Sequence, residues 1–110
     1  MNALVEKWPR KRSGGPIELS VVIPMYNEHE VIPTMYERIT TVMARLNAPY
    51  ELVLVDDGSR DGTPNLIKAL AERDKSVTAV FLSRNFGKEA ALTAGLAHAA
   101  GAAVVIMDAD

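Results

Sequence analysis

Cysteine is missing from the 110 residues, which excludes disulfide cross-links and thiolate metal sites and fits a reducing compartment. No apolar run approaches the ~20 residues needed to span a bilayer. The N-terminus has no apolar core of the signal-peptide kind, so the sequence reads as neither secreted nor membrane-spanning. Excess positive charge is absent too: the formal net charge is −2, which argues against a general nucleic-acid binder. Two phosphate-binding fingerprints are lacking. No Gly-x-Gly-x-x-Gly follows the first predicted strand, and no Gly-Lys-Ser/Thr occurs, so dinucleotide and ATPase-type loops are excluded. What remains is an ordinary globular composition, 48% hydrophobic and 24% charged. A chain this short makes one small domain and buries roughly 65% of its unfolded surface.

Residues 1–18 differ from the rest. Lys7, Arg10, Lys11 and Arg12 crowd around Pro9, and Ser13-Gly14-Gly15-Pro16 follows. A flexible basic arm is expected there, either a solvated tail or a tether to anionic lipid with Trp8 as interfacial anchor. From Leu19 onward the pattern is regular. Leu19–Ile23, Glu51–Val55, Val77–Leu82 and Ala102–Met107 are short apolar, β-branched runs, as buried strands require. Three helical stretches separate them. The first carries Val31, Ile32, Met35, Ile39, Val42, Met43 and Leu46 on one stripe and stops at Asn47 and Pro49. A capping box of Asn27 and Glu30 is expected to start it. Thr63 is expected to cap the second helix ahead of Pro64. The third is alanine-rich, runs from Gly87 to Ala100, and is expected to end on Gly101. Strict alternation of strand and helix predicts an α/β, Rossmann-like parallel sheet with helices on both faces. Strand order 3-2-1-4 follows if a switch point separates the first and fourth strands. Val104, Val105 and Ile106 are then expected in the core.

Ligands of such sheets bind beyond the carboxyl ends of the strands. There the sequence places Pro24-Met25-Tyr26-Asn27-Glu28, Asp56-Asp57-Gly58-Ser59-Arg60-Asp61-Gly62-Thr63, Ser83-Arg84-Asn85-Phe86-Gly87-Lys88 and Asp108-Ala109-Asp110. Carboxylates gathered at one edge repel unless cations or donors lie between them. Asp108 and Asp110, leaving a buried strand, can offer oxygens to a hard cation such as Mg²⁺ or Mn²⁺. An Asp-x-Asp alone is a common turn; its place at a strand end gives it meaning. Asp61 to Thr63 is ordinary turn and cap chemistry. Asp57 can accept hydrogen bonds from a base or ribose. Arg84 and Lys88 can meet diphosphate charge, although Lys88 can equally pair with Glu89 or Asp110. His29 and His98 carry no functional signal.

Three of these motifs, in order and at matching spacing over about residues 19–110, resemble family 2 glycosyltransferases of the GT-A fold. They are Ser20 to Glu28, Val55 to Thr63, and Asp108-Ala109-Asp110. Ser83 to Leu92 is similar to the subgroup acting on polyprenyl phosphates, which includes bactoprenol glucosyltransferases and dolichol-phosphate mannose synthases. The resemblance implies that residues 19–110 form the nucleotide-sugar-binding half of such an enzyme. Pro24, Tyr26, Glu28, Val55 and Asp57 would then line the nucleobase and ribose pocket, with Asp57 on the base. Asp108 and Asp110 would hold Mg²⁺ or Mn²⁺ against the donor diphosphate, with Ala109 close to the ribose. No residue is implied as a catalytic base. The implied partners are a nucleoside diphosphate sugar and a lipid-phosphate acceptor, with no nucleic acid. The implied location is cytoplasmic, at the cytoplasmic membrane face in the whole enzyme. The family continues past the last aspartate, so the chain is expected to be truncated and inactive alone. A nucleotidyltransferase or a non-catalytic nucleotide-binding fragment are the competing readings.

Overall fold

The computed structural model describes residues 5–9 and 15–109. Strands β1 (Val5–Trp8), β2 (Leu19–Met25), β3 (Tyr50–Asp56), β4 (Val77–Leu82) and β5 (Ala103–Ile106) form one sheet in the order β1-β4-β3-β2-β5. The β2–β3, β3–β4 and β2–β5 pairs are parallel. Without β1, the order β4-β3-β2-β5 is the expected 3-2-1-4. Helices α1 (Ile32–Leu46) and α2 (Thr63–Arg73) cover one face, and α3 (Lys88–His98) covers the other.

The period-two alternation of a strand divides the core in two. Val21, Ile23, Leu52 and Leu54 join Ile32, Met35, Ile39, Met43, Ile67 and Leu70 under α1 and α2. Val22, Val53, Val55 and Val80 join Ala91 under α3. Helix α3 can lie very close to the sheet because its inward residues are small. A Cβ on Gly95 would sit 2.5 Å from Val22 Cγ1 and 2.9 Å from Val55 Cγ2. At the opposite, amino-terminal edge a buried polar cluster ties the chain entering β5 to the sheet. Ser20 donates to Glu51 at 2.6 Å, and Glu51 also accepts the Ala100 N–H at 2.6 Å. Ser20 Oγ in turn accepts the Gly101 N–H at 2.8 Å.

Several expectations are corrected here. Part of the predicted flexible arm is a strand: Val5–Trp8 pairs antiparallel with β4, and the Lys68 ammonium lies 4.7 Å from the Trp8 ring centroid. Its edge position lets Glu6 and Lys7 stay compatible with strand pairing. Residues 1–4 and 10–14 lie outside the described residues. The capping box does not form. The N-cap of α1 is Val31 without a side-chain bond, because Asn27 sits at φ 54 and is committed to a neighbouring loop. Thr63 is the first residue of α2 rather than its cap, and Gly62 holds the N-cap position. Helix α3 ends at His98, with Ala99 rather than Gly101 at the cap. Val104, Val105 and Ile106 are 41, 44 and 49% exposed, since β5 has β2 on one side only and its residues lie outside both buried clusters.

Candidate nucleotide-sugar site

The loops leaving β2, β3, β4 and β5 meet at the carboxyl edge of the sheet, and hydrogen bonds stitch them together. Asn27 N–H donates to Ser59 Oγ (2.8 Å), Arg60 N–H to Asn27 Oδ1 (2.9 Å) and Glu28 N–H to Thr63 Oγ1 (2.9 Å). His29 and Asp61 extend this seam, with 3.0 Å between Nδ1 and Oδ2. Slight desolvation raises the Asp61 pKa, but hydrogen bonds from Thr63 and His29 outweigh it and hold the carboxyl below the usual carboxylate range.

A second seam joins the β3 and β4 loops. Asp57 is 4% exposed and accepts the Phe86 N–H at 2.8 Å, the Gly87 N–H at 3.1 Å and the Asn85 amide at 3.2 Å. Beside it Gly58 adopts φ +72, and a Cβ there would fall 2.2 Å from the Arg84 carbonyl carbon. Only glycine permits that approach. Asp56, on the other side of the strand, is 3% exposed. Burial raises its carboxyl pKa, hydrogen bonds from Ser59 and Gly58 oppose the shift, and the Asp57 charge adds to it.

Between the seams lies a cleft of about 400 Å³. Pro24, Tyr26, Glu28, Asp57, Asp108 and Ala109 all line it, so six sequence-predicted residues are brought together. Lys88, Met25 and Ala91 complete the wall. Met25 and Ala91 escape sequence reading because each looks like core, and both are indeed buried. Lys88 Nζ sits 2.9 Å from Asp108 Oδ1, choosing that partner over Glu89. Two expectations are not met. Val55 is wholly buried under α3 and its side chain packs towards Gly95, since the pleat points it into the core and away from the cleft wall. Arg84 places its guanidinium 4.7 Å from the Phe86 ring centroid and does not line the cleft. Asp110 lies outside the described residues. Among the described residues no three His, Cys, Asp or Glu side chains gather closely enough to hold a metal by themselves.

Residues 20–110 match the family described as Glycosyl transferase family 2. An undecaprenyl-phosphate 4-deoxy-4-formamido-L-arabinose transferase from Serratia proteamaculans is 46% identical over 94 residues, which is 84% of this chain and 29% of that protein. Among solved structures, the mannosyltransferase PcManGT from Pyrobaculum calidifontis, in complex with GDP-Man and Mn²⁺, superposes with a TM-score of 0.72 at 33% identity. The match covers 93% of this chain and 31% of that one. TarS 1-349 of S. aureus, in complex with UDP-GlcNAc, gives 0.68 at 27% identity, covering 86% of this chain and 27% of its own.

Proposed function

This chain belongs to glycosyl transferase family 2, and on that footing we propose that its cleft binds a nucleoside diphosphate sugar for transfer, with inversion, to a polyprenyl phosphate. The observation that carries the reading is the meeting of Pro24, Tyr26, Glu28, Asp57, Asp108 and Ala109 in one cleft at the carboxyl ends of three strands. The solved relatives hold GDP-Man and UDP-GlcNAc. The name of the curated relative supplies the lipid phosphate, and the chain spans 29% of its length.

Tyr26 lines the cleft and is 43% exposed, which leaves an aromatic side chain available to stack on a nucleobase. Asp57 offers a base the acceptor capacity its three donors leave over. Ala109 lines the cleft with only a methyl side chain, so a ribose can approach the backbone there. Asp108 presents a hard oxygen to a divalent cation, and an ammonium already rests on it as a stand-in. One described carboxylate is too few for an octahedral shell, so Asp110 and diphosphate oxygens would supply the rest. When bound, Mg²⁺ or Mn²⁺ stabilises charge on the departing nucleoside diphosphate. In the transfer the bond from the anomeric carbon to the diphosphate oxygen breaks and a bond to an acceptor phosphate oxygen forms. That acceptor is already ionised at neutral pH, so a strong general base is unnecessary.

The test reads binding, because the chain spans less than a third of these relatives. Calorimetric titration with UDP and GDP should show one of them binding, and more tightly with Mn²⁺ than without. Absence of binding by both, at any Mn²⁺ concentration, would remove the donor-site reading.

A further inference from the structure

Lys88 is more than a wall of the cleft. Its ammonium makes a charge-assisted contact of 2.9 Å with Asp108, yet the two side chains are 63 and 65% exposed. Its backbone, by contrast, follows directly on a fixed segment. Lys88 opens α3, and the two residues before it donate their N–H groups to the buried Asp57. A rigid mount therefore carries a long, flexible stem with a point charge at its tip. A divalent cation on Asp108 must contend with that ammonium, since like charges at this distance repel. Once displaced, the ammonium still borders the same cleft, where diphosphate oxygens would offer it new acceptors.

From this, and resting on the donor-site reading above, we infer that Lys88 is an exchangeable counter-ion. It neutralises Asp108 before the donor binds, yields Asp108 to the divalent cation, and then pairs with the diphosphate. Metal and nucleotide binding are thereby coupled through one side chain, and the coupling is reciprocal. Two effects of opposite sign follow from removing its charge. Metal alone should bind better, because nothing has to be displaced. The enhancement of metal binding by nucleotide should shrink, because the freed ammonium no longer rewards the diphosphate.

The experiment is Mn²⁺ binding to the 110-residue chain, followed by the electron paramagnetic resonance of free Mn²⁺, with and without UDP or GDP. Lys88→Met should tighten Mn²⁺ alone by roughly two- to five-fold, the range of an exposed ion pair, and should reduce the nucleotide enhancement. Lys88→Arg keeps the charge and should stay near the original chain in both readouts. Lys75→Met removes a like charge from the exposed turn before β4, at the opposite edge of the sheet, and should change neither. The inference is overturned if Lys88→Met leaves Mn²⁺ affinity unchanged or weaker, or if Lys75→Met reproduces its effect. A chain that binds UDP or GDP yet gives no Mn²⁺ binding overturns the inference alone. A chain that binds neither metal nor nucleotide overturns the donor-site reading as well.

Discussion

Asp57 shows how one residue can be both legible and misjudged. A carboxylate at a strand end was expected to face a base, and it does line the cleft. The same oxygens hold the start of α3 through Phe86, Gly87 and Asn85, which no local pattern announces because the partners lie 28 to 30 residues away. Asn27 is similar: its helix-capping chemistry is real, but its oxygen is spent on Arg60 across the loops. Val55 belongs to the same lesson, since a motif position carries no information about which way the pleat turns it. Asp57→Asn puts an amide where a carboxylate oxygen met N–H donors, leaving at least one of them unpaired. A loss of about 1–3 kcal/mol is expected, with faster hydrogen exchange at the Phe86 and Gly87 amides. Unchanged exchange there would mean that Asp57 does not hold the loop.

At the scale of elements, apolar runs and helical spacing are enough to give four strands, three helices and their order, because all but β5 bury residues on the pattern they display. Strand β1 was hidden: Val5-Glu6-Lys7-Trp8 has the charge of a tail, and its pairing with β4 depends on a distant edge. Strand β5 reads as core from its sequence, yet an apolar composition does not guarantee cover, and all four of its residues are exposed. Ile106→Ala, at 49% exposure, should therefore cost less than about 1 kcal/mol, whereas Ile23→Ala, fully buried, should cost about 2–5. Comparable shifts in melting temperature for the two would contradict the fold described above. Tyr36 on α1 donates to Asp74 beyond α2, tying the two helices together. Desolvation and the Asp74 carboxylate push its phenol from 10.0 up to about 12. A raised pKa means the folded chain holds the proton more tightly, so this contribution is complete below pH 10 and fades as the pH rises from 10 to 12. Tyr36→Phe should be less stable at neutral pH and should lose less on going from pH 10 to 12. Parallel stability profiles across that window would exclude the link.

The whole molecule is uneven between its two sheet edges. On one side β1 ends the sheet with Glu6 and Lys7, charges that discourage further strand pairing. On the other, nothing charged stands between His98 and Asp108, and Val104, Val105, Ile106 and Met107 are all at least 40% exposed. Among the described residues no strand pairs with the outer edge of β5, whose apolar side chains are exposed on both faces. Such an edge is a template for pairing with another strand. Net charge is only −2, so long-range repulsion between copies is weak. The 110-residue chain should therefore self-associate as its concentration rises, and it should do so through β5. Val105→Lys places a charge on that edge at a position already 44% exposed, so it should not disturb the core. Sedimentation velocity on both proteins decides the matter. The original chain should shift to faster-sedimenting species with concentration while Val105→Lys stays monomeric, and a monomeric original chain at the highest concentration reached would show that the β5 edge does not recruit a second copy.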